Sequence, residues 1–289
     1  MQPAFRKVVI YGAGLIGGSF ALALKQAGAV GEVVGFGRSA ATLQEARRLG
    51  ILDRIGSDEP AEVRDADLIL LATPVAQMAQ IFQHIAPHLG GQTLIIDGGS
   101  TKGDVVAAAR DHLGNRLAQF VPCHPIAGAE KSGPQAAMAD LYAGKRVVLT
   151  PLPENPKDVV TRVRQTWELC GANVSELTPE QHDQVFAAVS HLPHLLSFAL
   201  VHDIAQRDNK DLLLSFAASG FRDFTRIAAS SPEMWRDICL ANREALMTEL
   251  LRYADELHGL YLALEQHDAA KLEAVFSEAR KVRSAWQQP

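Results

Sequence analysis

Six short apolar runs, separated by stretches of helical periodicity, limit what this chain can fold into more than any other feature. KVVIYG (residues 7–12), EVVGFG (32–37), LILLAT (68–73), TLIIDG (93–98), QFVPCH (119–124) and RVVLTP (146–151) are aliphatic or β-branched at most positions. A strand with one wet face alternates apolar and polar residues. A strand apolar throughout is buried on both faces, which requires helices on both sides and therefore a parallel sheet. The intervening patterns at 15–27, 41–49, 75–88 and 102–113 supply those helices. The expected N-terminal half is a doubly wound α/β layer structure.

The pattern changes at PLPENPKD (151–158), which is rich in proline and charge. One more helix and the run NVSELT (173–178) still fit the sheet; from Pro179 onward only helical periodicity remains. Two domains are expected, 1–178 dinucleotide-binding α/β and 179–289 all-α, with the boundary near residue 178. Within the second, Leu246, Leu250, Tyr253, Leu257, Leu260, Tyr261 and Leu264 recur at spacings of three and four. That is a wider stripe than one helix of a monomer readily buries, so a homodimer through the helical half is predicted.

Charge and cysteine usage remove several function classes. A net charge of −5 argues against nucleic acid, which needs clustered cations to neutralise phosphates. Cys123, Cys170 and Cys239 lie far apart, which suits a reducing cytosol and disfavours a thiolate zinc site. The N-terminus enters a strand pattern at once, so no signal peptide is expected, and no membrane-length apolar run is expected either. A cytoplasmic protein with a small-molecule partner is the prediction.

YGAGLIGGS (11–19) joins the first strand to the first helix. Gly12, Gly14 and Gly17 fit GxGxxG, with Leu15 and Ile16 opening the helix whose N-terminus would face a pyrophosphate. In this setting the loop predicts a bound dinucleotide. ATPVAQ (72–77) follows LILLAT at the ligand edge of such a sheet; Thr73 and Pro74 either border the cofactor or simply turn the chain into the next helix. The second strand ends in Gly37, followed by Arg38 and Ser39, where an NAD-preferring domain normally places a carboxylate for the ribose hydroxyls. A guanidinium and a hydroxyl suit a 2′-phosphate, so NADP is expected over NAD, with NAD possible.

IIDGGSTKGD (95–104) and VPCHPIAGAEKSG (121–133) end two strands with dense polar chemistry: Asp97, Ser100, Lys102, His124, Glu130, Lys131 and Ser132. An imidazole at such an edge can accept a proton from a substrate hydroxyl as hydride leaves the same carbon. A strand-end histidine bonded to a neighbouring loop fits His124 equally well. SHLPHLLSFALVHD (190–203) places His191 and His194 three apart in an apolar helix. Two imidazoles make an incomplete ligand set, so no metal is expected. Core histidines and a polar substrate wall both remain.

GAGLIGGS, DGGSTKGD, HPIAGAEKSG, SHLPHLLSFAL and SGFRDFTRIAASSPEMWRDI together resemble the prephenate and arogenate (cyclohexadienyl) dehydrogenases of tyrosine biosynthesis, from about Lys7 to about Asn242. The resemblance implies a Rossmann-like N-terminal domain, an all-α C-terminal dimerisation domain and a site in the cleft between them. It implies catalytic roles for His124 and Ser100, with His124 taking the proton and Ser100 orienting the hydroxyl. It places Ser100, Glu130, Ser190, His191, His194 and Arg226 against the substrate, Arg226 on a carboxylate, and Asp223 opposite a cation of the cleft. It leaves prephenate and arogenate undistinguished. With no regulatory domain expected after Pro289 and no mutase domain before Lys7, any inhibition by tyrosine would have to act at the active site. The rival readings are a 3-hydroxyacid dehydrogenase, which relies on a lysine in its helical half, and a dinucleotide-sensing module without a proton acceptor.

Overall fold

The computed structural model describes residues 3–129 and 131–286. Strands β1 (Phe5–Tyr11), β2 (Val30–Phe36), β3 (Arg54–Ile55), β4 (Leu68–Leu71), β5 (Leu94–Asp97) and β6 (Phe120–Val121) form one sheet in the order β3-β2-β1-β4-β5-β6. Every pair in it is parallel. Alternate residues of β1 divide between two cores: Val8 and Ile10 join one face, Val9 and Tyr11 the other. Strands flanked in this way have no polar face, which is why they read as continuous apolar runs.

Helices α1 (Leu15–Gln26), α2 (Ala40–Arg48), α3 (Glu59–Arg64), α4 (Met78–Ile85), α5 (Gly103–Leu113) and α6 (Lys157–Leu169) link and cover the strands. Phe20 of α1, Tyr142 and Trp167 of α6 pack edge to face, with centroids 4.9 and 5.2 Å apart. The chain leaves the main sheet sooner than its sequence suggests. QFVPCH is divided between β6 and a second sheet of β7 (Cys123–Pro125), β8 (Arg146–Leu149) and β9 (Asn173–Glu176), so RVVLTP and NVSELT do not extend the first sheet. The antiparallel pairing of Cys123 with Leu149 explains the break, since β8 runs against β7. The two-residue β3 and six-residue α3 are too short for periodicity to reveal.

Strand β9 ends at Glu176, and α7 (Pro179–Phe186) begins with a capping box between Thr178 and Gln181 and proline in its first turn. One wide turn of π geometry (Ala187–His191) carries α7 into α8 (Leu192–Ala205). The continuous run Pro179–Ala205 spans 27 residues and is long and apolar enough to cross a membrane by composition, which corrects the expectation that no such stretch exists. Histidine, serine and proline interrupt its apolar residues, and its carboxylates Glu180, Asp183 and Asp203 stand toward its two ends. Within the fold its His182, Asp183 and His191 are buried. Helices α9 (Lys210–Ser215), α10 (Ser219–Thr225), α11 (Pro232–Ala241), α12 (Arg243–Glu265) and α13 (Ala269–Ala285) complete the second half. Of the predicted stripe on α12, Leu246 is buried, whereas Leu250, Leu257, Tyr261 and Leu264 lie exposed.

Candidate active site

The glycine loop uses its three glycines differently. Gly12 has φ +94°, and a Cβ there would lie 2.5 Å from the Ala72 carbonyl oxygen. A Cβ on Gly17 would lie 2.1 Å from the Gly12 carbonyl oxygen, whereas one on Gly14 would meet nothing within 4 Å. Packing therefore demands Gly12 and Gly17, while Gly14 faces open space at the start of α1. Gly14 caps α1 without a side-chain bond, and the first turn holds no acidic residue. Unclaimed N–H groups and a positive helix end are left for an anion, so these residues fit a dinucleotide pyrophosphate.

Leu15 and Ile16 open α1 half-buried, and the Ile16 carbonyl accepts the Tyr142 hydroxyl at 2.6 Å. The ATP turn abuts Gly12; Thr73 Oγ1 is shielded with no partner among the described residues, and Pro74 is exposed before a short 3₁₀ turn. At the end of β2, Gly37, Arg38 and Ser39 are all exposed. Ser39 Oγ accepts from Thr42 N at 3.2 Å and so caps α2. A Cβ on Gly37 would come no nearer than 3.6 Å to Leu43, so nothing steric excludes a larger residue.

His124 sits on a braced strand. Asp97 and Lys102, fully buried, form an ion pair. Lys102 Nζ donates to the Cys123 carbonyl at 2.7 Å, and Cys123 N donates to Asp97 Oδ1 at 2.8 Å. Asp97 Oδ2 also accepts from Gly99 N at 2.8 Å. A buried pair of this kind is costly to break, because the surviving charge has no solvent. Asp97 and Lys102 thus lie beneath the polar edge rather than in it, fixing the backbone next to His124 and the start of the Ser100 loop.

His124 Nδ1 lies 2.8 Å from His182 Nε2, and His182 Nδ1 lies 2.8 Å from Asp183 Oδ1. Phe186 closes over both rings at 4.8 and 4.4 Å between centroids. Burial, with His182, Lys102 and His191 nearby, holds the His124 pKa well below the usual imidazole value, so the ring is neutral. Burial likewise lowers His182, although its bond to Asp183 opposes this. Burial pushes Asp183 upward, but bonds from His182, Gly103 N and Lys102 N outweigh it and keep the carboxylate ionised.

His191 ends the π turn and His194 lies in the first turn of α8. His191 is buried beside the Ser100 main chain, and burial brings its pKa down to about 4. Asn242 Nδ2 donates to the Asp183 carbonyl at 2.8 Å and lies 3.0 Å from His191 Nδ1. Nδ1 is therefore the acceptor, and Nε2 carries the proton. That Nε2 makes no well-aligned hydrogen bond among the described residues, and the Ser100 main chain beside it raises the His191 pKa only slightly against burial, so the buried donor is not fully satisfied. His194 Nδ1 bonds the Ser190 carbonyl at 2.9 Å, and its ring stacks on Trp235 at 3.6 Å and 20°. Burial and the Arg226 charge both lower the His194 pKa, which puts Arg226 at the same end of the site although its residue is exposed.

Ser100 and Ser190 are half-buried, and Lys131 and Ser132 are exposed. Glu130 lies outside the described residues. Asp223 pairs with its neighbour Arg222 at 3.4 Å, both exposed, so it does not meet a cation of the cleft as expected; adjacent guanidinium geometry satisfies it locally. Among the described residues no group of three His, Cys, Asp or Glu side chains stands close enough to hold a metal. A cavity of about 1040 Å³ lies behind Asp183, lined by Gly103, Asp104, Gln184, Asn242 and Arg252. It excludes His124, Ser100 and His191, so cavity size does not mark the polar cluster. Sequence reasoning missed His182, Asp183, Asn242 and Trp235. The capping signal TPEQ at 178–181 marks a helix start, and with it the first two turns, which hold His182 and Asp183.

Two family models match this chain: the nucleotide-binding domain of prephenate dehydrogenase over residues 20–176 and its dimerization domain over 178–278. The chain is 35% identical to a cyclohexadienyl dehydrogenase of Zymomonas mobilis, covering 97% of this chain and 96% of that one. It is 37% identical to a prephenate dehydrogenase of Bacillus subtilis, covering 96% of this chain and 75% of that one. A solved prephenate dehydrogenase from A. aeolicus, in complex with hydroxyphenyl propionate and NAD+, superposes with TM-score 0.88 at 36% identity, covering 96% of this chain and 98% of that one. The (S)-3-hydroxybutyryl-CoA dehydrogenase from Ralstonia eutropha, at 15% identity and TM-score 0.53, shares the fold alone. With the Rossmann-like and helical halves both matched, this chain belongs to the prephenate dehydrogenase family.

Proposed function

We propose that the protein oxidises and decarboxylates prephenate, arogenate or both, as a step of tyrosine biosynthesis, with a nicotinamide dinucleotide as hydride acceptor. The observation that carries this reading is the His124 imidazole, held 2.8 Å from His182 at the strand edge with a buried His191 nearby. A bound nicotinamide would supply the hydride acceptor for the hydroxyl-bearing ring carbon, so that loss of CO₂ leaves the ring aromatic. His124 accepts a hydrogen bond from that hydroxyl, draws its proton as the hydride leaves, and returns it to the phenolic oxygen of the product, while Ser100 orients the hydroxyl. The incompletely satisfied Nε2–H of His191 donates to a substrate oxygen, Ser190 and His194 line the same wall, and Arg226 meets a substrate carboxylate with a charge-assisted fork. Glu130 completes the substrate contacts. Because aromatisation drives the reaction, the protein contributes chiefly position and electrostatics.

Gly12, Gly14, Leu15, Ile16 and Gly17 hold the pyrophosphate, with Thr73 and Pro74 along its edge. Exposed Arg38 and Ser39, with no carboxylate at Gly37, support NADP over NAD. The working form is a cytoplasmic homodimer joined by the helical half, divided from the Rossmann-like half at residue 178. Incubation with prephenate or arogenate and either cofactor, following reduced nicotinamide by absorbance, tests the activity. Failure to reduce cofactor with both substrates overturns it.

A further inference from the structure

We infer that His182 and Asp183 are a positioning pair that fixes His124 in one tautomer, with its Nε2 lone pair turned toward the substrate. The inference rests on the assignment of His124 as proton acceptor. It follows from counting protons along the chain of contacts. Asp183 is a carboxylate that also accepts Lys102 N at 2.8 Å and Gly103 N at 2.7 Å, so it offers only acceptors. His182 Nδ1, 2.8 Å away, must therefore carry the hydrogen. A neutral His182 then has a bare Nε2, and this nitrogen can only accept. His124 Nδ1, 2.8 Å from it, is the donor. Nε2 of His124 is left without a hydrogen, and it makes no bond among the described residues. A base must present a lone pair, and this is the nitrogen that presents one.

The pair does more than select a tautomer. When Nε2 takes a proton, His124 becomes an imidazolium whose Nδ1–H still points at an acceptor, with the Asp183 charge one ring beyond. Because Phe186 shields both rings, that charge acts through little water. The arrangement has the logic of a serine-hydrolase triad, in which a carboxylate orients a histidine, but a second imidazole is interposed. Asp183 itself is a poor place for the test, since it also caps α5. His182 is the clean one, because its imidazole joins only His124 and Asp183.

His182→Leu removes the acceptor, whereas His182→Gln can set a carbonyl oxygen near the position of Nε2. Expected is a fall in kcat of roughly 10- to 100-fold for His182→Leu, by analogy with the loss of partners that orient metal-bound imidazoles. KM for substrate and cofactor should change little, and His182→Gln should recover most of the rate. Independently of turnover, ¹⁵N spectra of the histidine side chains in the wild-type protein should show His124 protonated on Nδ1, with the signal identified by its loss in His124→Asn. A wild-type His124 protonated on Nε2, or a His182→Leu enzyme with unchanged kcat, overturns the inference. Should His182→Leu not fold, the wild-type spectrum and His182→Gln still decide it. If His124→Asn itself kept full turnover, the fault would lie with the proposed base and not with its support.

Discussion

Gly103 donates its main-chain N–H to Asp183 Oδ2 at 2.7 Å, so a carboxylate from the helical half closes a helix of the sheet half. Lys102 N joins the same carboxylate at 2.8 Å. Bonds to charged groups contribute about 1.5–3 kcal/mol each, and a helix N-terminus favours the negative charge further. A Cβ on Gly103 would lie 3.0 Å from Oδ2, which leaves a side chain little room here. The two walls of the site therefore cannot slide past each other without losing both bonds.

Replacing His124 by asparagine should preserve cofactor binding while lowering turnover by roughly 10²- to 10⁴-fold, the usual contribution of a positioned base. Fluorescence titration with the dinucleotide and steady-state rates separate the two effects. Near-normal kcat would remove His124 from the chemistry.

Arg226→Ala should act mainly on substrate affinity. Losing one charge-assisted contact costs about 1.5–3 kcal/mol, or roughly a 10- to 150-fold rise in KM. The effect on kcat stays small if ground and transition states feel the contact alike. A folded variant with unaltered KM would place the guanidinium elsewhere.

Cofactor choice should respond to the end of β2. Wild-type kcat/KM should favour NADP; Arg38→Ala should reduce that preference, and Gly37→Asp should weaken or reverse it by repelling a 2′-phosphate. The space around Gly37 admits the new side chain, so the variant reads charge rather than misfolding. A clear wild-type preference for NAD would contradict this assignment and leave the dehydrogenase intact.

Stability should decline in acid through His191. Its folded pKa of about 4 lies below the ordinary value of 6.5, so in that interval the unfolded chain takes up a proton that the folded one refuses. The contribution is complete above about 6.5, shrinks as pH falls, and is lost below about 4, a change of about 3 kcal/mol. Asp183, His182 and His194 are the charged or titrating neighbours. Urea unfolding across this range should show stability rising with pH, less steeply in His191→Gln. Equal slopes would show that the imidazole titrates normally.

The helical half should hold the protein as a dimer. Phe216 is 81% exposed, and Leu251, Leu264, Phe276 and Val282 each exceed half exposure, more apolar surface than a monomer commonly leaves to water. Light scattering at micromolar concentration should report twice the chain mass; a monomer would refute it.

The first four long strands and the glycine loop were legible because each obeys a local rule: period, burial or a required φ. Gly12 and Gly17 can be read from spacing alone, since contacts within a dozen residues or at the next strand demand them. Support for His124 could not be read, because His182 lies 58 residues away and its meaning depends on how two halves dock. Asp97 and Lys102 were visible as polar residues, but only packing shows that they face each other inside the protein. The division of QFVPCH between sheets was equally hidden, since both parts have strand composition.

The wide turn at Ala187–His191 makes chain length an angular coordinate. Twelve residues separate His182 from His194, and in an unbroken α-helix they would diverge by roughly 120° around the axis, at about 100° per residue. A single turn of π geometry absorbs one residue, which reduces the divergence to roughly 20°. One histidine can then reach His124 while the other stacks on Trp235 along the same side. The alignment comes from a surplus of one residue, so it tolerates many substitutions between the two histidines and a second inserted residue would undo it.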